Sequence, residues 1–374
     1  MYDRNKPGYT SNLLATNTKK QGNVMKTVTI GTMLAVLLLG SAGYAQAAAL
    51  NPDTDPNRID WSKLDSKFGP LPKPPVGTKV GGVVKTMINE YWRSLATGYR
   101  TEAKPVGVTV QAQGPQNEED QLGQLSLAQN MLSQGYNALM LSPITDSNLQ
   151  PVLEDARQQH IPVVDVDDAV FPDAEHFVGN VQGENGVRAA HWFIQHHPGG
   201  GKVAVIEGIA GSYAAKYRTA GFVDTVSKGG KFTVVASVPG NWDRQKSYEA
   251  ASTILNQHPD LIGFYCNNDG MALGVLEAVK SANALGKVAV IGTDGWTDAL
   301  KSIRDGELTG TIDSFPDVTG EIAVDVAIRL IASQSLPRVV TTPQALITKE
   351  NYDHYFGKGV NPRDALLADA RSDH

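Results

Sequence analysis

Aromatic and hydrogen-bonding side chains follow the apolar runs of this sequence at nearly every point where a run of strand length ends. Tyr91 and Trp92 follow the run at 80–84, and Trp242 follows the run at 232–238. Carboxylates and amides end three further runs, at Asp167 and Asp168, Asn268, and Asp294. In parallel α/β sheets, ligands bind at the carboxyl ends of the strands. The sequence therefore predicts one polar, partly aromatic site built from several strand ends.

The aromatic residues favour a ligand with flat apolar faces and polar edges, as a sugar has. Rings that face each other across a cleft stack on C–H faces while the hydroxyl groups stay at the edge. A lone tryptophan is more often part of a core. We interpret Tyr91, Trp92 and Trp242 as ligand contacts because polar side chains stand beside them in the sequence.

The carboxylates supply acceptors for hydroxyl groups. Asp167 and Asp168 end an apolar run, and a hydrogen bond to a charged acceptor is worth about 1.5–3 kcal/mol, roughly twice a neutral one. Adjacent residues on an extended chain point to opposite sides, which disfavours a glycosidase acid pair. Asp294, between Gly292 and Gly295, is a third acceptor, with a helix N-cap as its alternative role.

Two basic residues and an amide complete the predicted site. Lys85 ends the first strand and Arg218 lies in the helix after the segment GIAGS, so both are expected to point inward. The planar fork of arginine fits vicinal hydroxyls or a carboxylate. Asn268 and Asp269 open a helix; we expect one of them to cap it and the other to remain free for the ligand.

The sequence argues against enzymes and cofactors. HPGGGKV lacks the phosphate-loop spacing and precedes a strand, and GIAGSYAA lacks the second glycine of a nucleophile elbow. The three histidines at 191, 196 and 197 do not have the spacing of a zinc pair, and Cys266, the only cysteine, allows no internal disulfide. We expect no catalytic residues, no cofactor and no metal.

Residues 25–47 have the three parts of a secretory signal: the basic Lys26, an apolar stretch at 28–39, and a cleavage box ending at Ala47. A membrane anchor needs about 20 apolar residues, and no cysteine near the box could carry a lipid. We therefore predict a leader and signal peptide at 1–47, with Met1 or Met25 as the start, and a freely soluble exported protein.

Size and charge limit the partners. Residues 1–47 hold five basic residues and one acidic residue, so the remaining 327 residues carry 28 basic and 38 acidic side chains, a net charge of −10. This charge argues against nucleic acid and anionic membranes as partners. The length exceeds one ordinary core and predicts two lobes; a monomer is the expected state.

The order of the elements predicts an α/β fold. Residues 48–78 are rich in Pro and Asp and show no period, so we expect an extended arm or linker there. From Val80 onward, short β-branched runs alternate with amphipathic stretches, about five units before residue 180 and five after. Such alternation is typical of parallel sheets. We therefore predict two doubly wound lobes with a cleft between them. The strands are expected near 80–84, 107–111, 138–141, 162–166, 203–207, 232–238, 261–265, 288–292, 308–313 and 338–340.

Over about residues 79–350 the chain resembles the periplasmic sugar-binding proteins of the ribose, arabinose and galactose type, the soluble receptors of ABC importers. The resemblance is carried by VVKTMINEYWRSL, IPVVDVDD, GIAGSYAAKYRTAGF, PGNWDRQK, NNDGMALGVLEAV and VIGTDG. It implies two lobes that close on one monosaccharide, joined by a three-segment hinge. The lobes would comprise 79–180 with 315–342 and 181–314 with 343–355, followed by a tail at 356–374.

The resemblance also implies which residues bind the ligand: Lys85, Asn89, Tyr91, Trp92, Asp167, Arg218, Trp242, Asn268 and Asp294. Two positions depart from the ribose receptors. Asp168 stands where they have arginine, as in arabinose receptors, and Ser314 stands where they use glutamine. The combination of Lys85 with two aspartates is more similar to the arabinose receptors.

The expected function is therefore a non-enzymatic periplasmic receptor that captures a sugar or polyol and delivers it to a permease of the inner membrane. Two alternatives stay open. The same fold serves as a sensor that partners a membrane kinase or chemoreceptor, and an exported sugar-acting hydrolase or lyase would also be rich in carboxylates. A repressor of the same fold is excluded because a signal peptide occupies the place of its DNA-binding module.

Overall fold

The computed structural model describes residues 49–168 and 170–372. The predicted signal peptide and its cleavage site near Ala47 lie outside the described residues. Within the described ranges, no helix combines the length and the apolar character that crossing a membrane requires.

The elements alternate strand and helix along most of the chain. The strands are β1 Arg58–Asp60, β2 Lys79–Val83, β3 Thr109–Gln113, β4 Ala138–Leu141, β5 Val163–Val166, β6 Phe177–Gly179, β7 Gly201–Glu207, β8 Phe232–Pro239, β9 Leu261–Cys266, β10 Ala289–Asp294, β11 Gly310–Asp313, β12 Val339–Thr341 and β13 Ala345–Thr348. The helices are α1 Leu64–Phe68, α2 Glu90–Ala103, α3 Gln121–Ser133, α4 Gln150–Gln158, α5 Gln182–His196, α6 Tyr213–Ser227, α7 Arg244–Gln257, α8 Asp269–Ser281, α9 Thr297–Arg304, α10 Pro316–Ile331, α11 Tyr352–Phe356 and α12 Pro362–Ser372.

The strands form two sheets, each of which defines a lobe. The first lobe has a seven-stranded sheet in the order β1-β12-β6-β5-β4-β2-β3, and all its pairs are parallel. The second lobe has a six-stranded sheet in the order β13-β11-β10-β9-β7-β8, in which only β13 pairs antiparallel. Among the described residues, the chain passes between the sheets after β6, after β11 and after β12. The predicted fold of two doubly wound lobes is confirmed.

Apolar clusters cover both faces of each sheet. In the first lobe, one cluster joins the sheet to α2 and α10, and another joins it to α3 and α4. In the second lobe, the corresponding clusters involve α7 and α8 on one face and α5 and α6 on the other. Helices on both faces leave the ends of the strands as the places where polar side chains meet.

Residues 49–78 differ from the extended arm predicted for residues 48–78. Arg58–Asp60 pairs in parallel with β12 and so extends the first sheet, and Trp61 and Leu64 are buried in the core of the first lobe. Arg329, fully buried on α10, donates to the carbonyl of Gly69 at 2.9 Å. The Pro- and Asp-rich composition concealed these contacts because the elements are only three to five residues long.

Candidate functional site

A cavity of about 310 Å³, including the part open to solvent, lies at the carboxyl ends of strands from both lobes. The first lobe contributes Asn89, Tyr91, Trp92, Glu118 and Asp168, and the second contributes Arg218, Trp242, Asn268 and Asp294. Eight of these nine residues were predicted from the sequence. The predicted residues that do not line the cavity are Lys85, Asp167 and Ser314.

The aromatic side of the cavity is fixed by one carboxylate, Glu118. Asn89 caps α2 by accepting from the backbone N–H of Tyr91 at 2.9 Å, and its amide donates to Glu118 Oε1 at 2.8 Å. The indole N–H of Trp92 donates to the same oxygen at 3.0 Å. The rings of Tyr91 and Trp92 meet edge to face with centroids 5.1 Å apart. Both rings are therefore held at the start of α2.

Sequence reasoning missed Glu118 because the end of β3 was not among the strand ends considered. Glu118 lies between β3 and α3, five residues after the last residue of β3. The rule that located the other residues, a polar side chain beyond the carboxyl end of a parallel strand, applies to this position as well.

Lys85 supports the cavity without lining it. Its ammonium group forms an ion pair with Asp168 and lies 5.5 Å from the centre of the Trp92 ring. Lys85 is only 5% exposed. A buried charge is costly without a partner, and the carboxylate of Asp168 neutralises this ammonium group. Lys85 is thus the partner of a cavity carboxylate, and the direct ligand contact inferred from the sequence stays a prediction.

Asp167 does not line the cavity, unlike its neighbour Asp168. Its φ of +67° turns the chain directly after β5, and its carboxylate accepts from the hydroxyl of Tyr91 and, at 3.1 Å, from the amide of Asn180. Burial, reinforced by the charge of Asp168, raises the pKa of Asp167 to about 7. In this structure Asp167 holds the Tyr91 ring in place, and its direct contact with a ligand stays a prediction.

Ser314 is fully buried at the crossover between β11 and α10. Its hydroxyl has no hydrogen-bond partner among the described residues, and its carbonyl accepts from Thr319 at 3.2 Å. Ser314 does not line the cavity, and its role as a ligand-binding residue stays a prediction.

Arg218 is the positively charged residue that the second lobe contributes to the lining of the cavity. Its guanidinium donates to Gln182 at 2.7 Å, to the carbonyl of Asn267 at 2.6 Å and to Asp294 at 3.0 Å. Burial raises the pKa of Asp294 well above its usual value, and the charge of Arg218 opposes that rise. Three bonds in different directions fix the plane of the guanidinium. A close approach of α5 and α6 makes this possible, since Gly186 lies against the backbone of Arg218.

Trp242 stands in a tight turn after β8. Both Asn241 and Trp242 have positive φ, at 55° and 62°. A side-chain carbon on Gly208 would lie 2.0 Å from the indole ring, so only glycine leaves room for the ring at this place. The turn and the absence of a side chain at Gly208 together allow the indole ring to line the cavity.

Asn268 and Asp269 divide their roles differently from the prediction. Asn268 caps α8, accepting from the backbone N–H of Met271 at 2.8 Å, and it also lines the cavity. Asp269 is not free for a ligand: it accepts from the backbone N–H groups of Gly295 and Trp296, each at 2.8 Å, and from Thr311. Asp269 thus fixes the turn that follows Asp294.

The ranges described by the structure contain no cluster of three or more His, Cys, Asp or Glu side chains arranged to hold a metal ion.

Two doubly wound lobes, three crossovers and a cavity at the facing strand ends define the class of type I periplasmic binding proteins. The family model described as a periplasmic binding protein domain matches residues 80–335. The chain therefore belongs to this family of binding proteins, which confirms the resemblance seen in the sequence.

Relatives and solved structures agree with this assignment. The chain is 32% identical over 272 residues to a ribose import binding protein of Bacillus subtilis, covering 72% of this chain and 87% of the relative. It is 33% identical over 243 residues to a D-allose-binding periplasmic protein of Escherichia coli, covering 63% and 78%. A solved ABC transporter solute binding protein of Actinobacillus succinogenes with bound D-allose has a TM-score of 0.71 and 27% identity, covering 74% of this chain and 100% of that one.

Proposed function

We propose that this chain is a periplasmic receptor that captures one uncharged monosaccharide or polyol between its lobes and delivers it to an ABC importer. The observation that carries the proposal is the convergence of two tryptophans with carboxylate, amide and guanidinium groups from both lobes on one cavity. Receptors for ribose and D-allose among the similar proteins support it.

The cavity offers a sugar both kinds of contact it needs. The rings of Trp92 and Trp242 provide faces for C–H groups. The carboxylates of Glu118, Asp168 and Asp294 accept from hydroxyl groups, which cost about 1–3 kcal/mol each when buried without a partner. With three carboxylates in its lining, the cavity is rich in acceptors for the hydroxyl groups of a sugar.

The charges favour an uncharged ligand. Lys85 is paired with Asp168, and Arg218 is paired with Asp294. Glu118 adds a further negative charge to the lining. A phosphate or carboxylate on the ligand would therefore meet cations that are already neutralised and would be repelled by Glu118.

Binding is coupled to closure of the lobes. The lining residues come from both sheets, so a ligand that contacts all of them stabilises the closed arrangement over an open one. The surface of the closed form is what a permease of the inner membrane would recognise. We propose that the receptor acts as a monomer, is exported by the signal peptide, and leaves its ligand chemically unchanged.

The test is a thermal-shift screen of the protein, first unfolded and refolded to remove copurified ligand. The panel contains D-ribose, D-allose, L-arabinose, myo-inositol, D-galacturonate and D-ribose 5-phosphate. Binding to the native state alone at 100 times Kd adds about 2.7 kcal/mol, which raises Tm by a few degrees. We expect a shift with one uncharged stereochemical series.

Two outcomes would contradict the proposal. A shift confined to D-galacturonate or D-ribose 5-phosphate would refute the uncharged ligand. Conversion of the bound sugar to a product, followed by NMR during long incubation, would refute a receptor without turnover and favour the hydrolase or lyase alternative.

A further inference from the structure

The loop at residues 51–55 lies outside the region that matches the family model, and both of its flanks are anchored in the first lobe. On one side, Leu50 is 5% exposed within a core cluster, and its N–H donates to the carbonyl of Pro172 at 2.7 Å. On the other side, Arg58–Asp60 pairs with β12. Asp55 also forms an ion pair with Arg338 at 3.6 Å. The loop therefore belongs to the first lobe.

Hydrogen bonds within the loop fix its shape. The backbone N–H groups of Thr54 and Asp55 donate to the carbonyl of Asn51 at 3.1 and 2.8 Å. The N–H of Asp53 donates to the side chain of Asn51 at 3.1 Å, an Asx turn. Asn51 and Asp53 are thus presented by a structured turn, so little entropy is lost when they meet a partner.

The partners of these two side chains lie in the second lobe. Asp53 accepts from the backbone N–H of Gly183 at 3.0 Å and from the hydroxyl of Tyr213 at 3.2 Å. Asn51 accepts from the same hydroxyl at 3.0 Å and donates to Tyr217 at 3.3 Å. Gly183 is the second residue of α5, and Tyr213 and Tyr217 are the first and fifth residues of α6.

The bond to Gly183 has a second consequence. Helix α5 begins after Val181, which gives it no side-chain cap, so its first N–H groups need partners from elsewhere. Asp53 supplies a carboxylate to one of them from the other lobe, where the positive end of the helix dipole favours a negative charge. Gly183 permits this approach, since a side-chain carbon there would lie 2.9 Å from the carboxylate.

We propose that Asn51 and Asp53 form an interlobe clasp that stabilises the closed arrangement of the two lobes and slows the release of ligand. The inference rests on the proposed function for its effect on release, whereas its effect on closure is independent of any ligand. Neither residue lines the cavity, so the clasp acts on affinity only through the equilibrium between open and closed forms. The apparent Kd is inversely proportional to the fraction of molecules that are closed, so Kd rises as the loss of the clasp lowers that fraction.

The experiment uses the double variant Asn51→Ala with Asp53→Ala and the matched control Asp55→Ala. The control removes a carboxylate from the same loop, but its partner Arg338 lies in the first lobe. Dyes are placed on Asn130→Cys and Asn256→Cys, one exposed position in each lobe, while the native Cys266 is buried. Single-molecule energy transfer then reports the distance between the lobes, and the sugar found in the screen calibrates the closed form.

Loss of the clasp is expected to move the ligand-free distribution toward larger distances and to raise Kd about tenfold, mostly through faster dissociation; the Asp55→Ala control stays within about twofold of wild type. The variant Tyr213→Phe should reproduce part of the loss, and adding it to the double variant should cost little more.

Equal distance distributions for wild type and double variant would overturn the clasp. An equal loss of closure and affinity in the Asp55→Ala control would also overturn the clasp. The effect would then arise from disordering of the loop and not from the contacts of Asn51 and Asp53 with the second lobe. If no sugar binds, the proposed function is refuted, but the distances between the lobes without ligand still test whether the clasp favours closure.

Discussion

The carboxylates around the cavity show how a partner determines the role of a residue. Asp168 is neutralised by Lys85 and Asp294 by Arg218, and both line the cavity. Asp167, adjacent to Asp168 in the sequence, is instead occupied by Tyr91 and Asn180. An ion pair leaves free lone pairs on a carboxylate, so the two paired residues remain able to accept from hydroxyl groups.

The contribution of Trp242 is tested by Trp242→Ala. If the ring stacks on a buried sugar, the affinity should fall by about 2–4 kcal/mol, the range of truncations at binding hot spots. Isothermal titration calorimetry with the sugar found in the screen measures the change. Trp192→Ala is the matched control, since Trp192 stacks on His196 at 4.2 Å on α5 and does not line the cavity. Equal affinities for the Trp242 variant and wild type would assign the ring a purely structural role.

The residues at strand ends could be predicted because the rule that ligands bind there needs only the position of each strand. The direction of each side chain could not. Asp167 and Asp168 are indistinguishable in the sequence, and the positive φ that separates them depends on the packing beyond β5. Lys85 likewise follows the rule, but its distance from Asp168 is a tertiary property.

At the scale of the elements, glycines set the distance between helices that carry cavity residues. On α5, a side-chain carbon at Gly186 would lie 2.0 Å from the carbonyl oxygen of Arg218 and 2.4 Å from the nitrogen of Phe222. The axis of α6, and with it the guanidinium in the cavity, therefore depends on the absence of a methyl group at Gly186.

The variant Gly186→Ala should lower the free energy of unfolding by about 1–3 kcal/mol, the usual cost of overpacking. It should also weaken sugar binding, because Arg218 moves with α6. Urea denaturation and calorimetry measure the two effects. Gly199→Ala is the control: this glycine has negative φ and no atom within 4 Å of an added side-chain carbon. A Gly186 variant as stable as wild type would show that α6 shifts without cost.

The strands that were not predicted from the sequence are short, and pairing with neighbouring strands stabilises them. The ten predicted strands lie in apolar or β-branched runs of the sequence, whereas β1, β6 and β13 have only three, three and four residues. Each is completed by a partner far along the chain, as β1 is by β12. A pattern of period two cannot be recognised in three residues.

At the scale of the whole molecule, the facing strand ends concentrate buried acids. Burial raises the pKa of Asp167 to about 7, with Asp168 adding to the rise, and burial likewise raises the pKa of Asp269 to about 7. Between about pH 4, the ordinary value, and pH 7, the folded state thus holds protons that the unfolded chain has released. Such protons stabilise the fold at low pH, and the stabilisation is lost as pH rises through 7.

The variant Asp167→Asn isolates one of these protons. A carboxyl whose pKa is raised from about 4 to about 7 changes the free energy of unfolding by up to about 4 kcal/mol across that window. The difference between variant and wild type should therefore shift in favour of the variant between pH 5 and pH 8, measured by urea denaturation at each pH. Using the difference removes the opposite slope of His176, whose pKa is lowered by burial. Asp260→Asn is the control, since the hydrogen bond from Lys202 lowers the pKa of this exposed carboxyl below the window. A difference that stays constant from pH 5 to pH 8 would mean that Asp167 is ionised throughout, stabilised by Tyr91 and Asn180 more strongly than burial destabilises it.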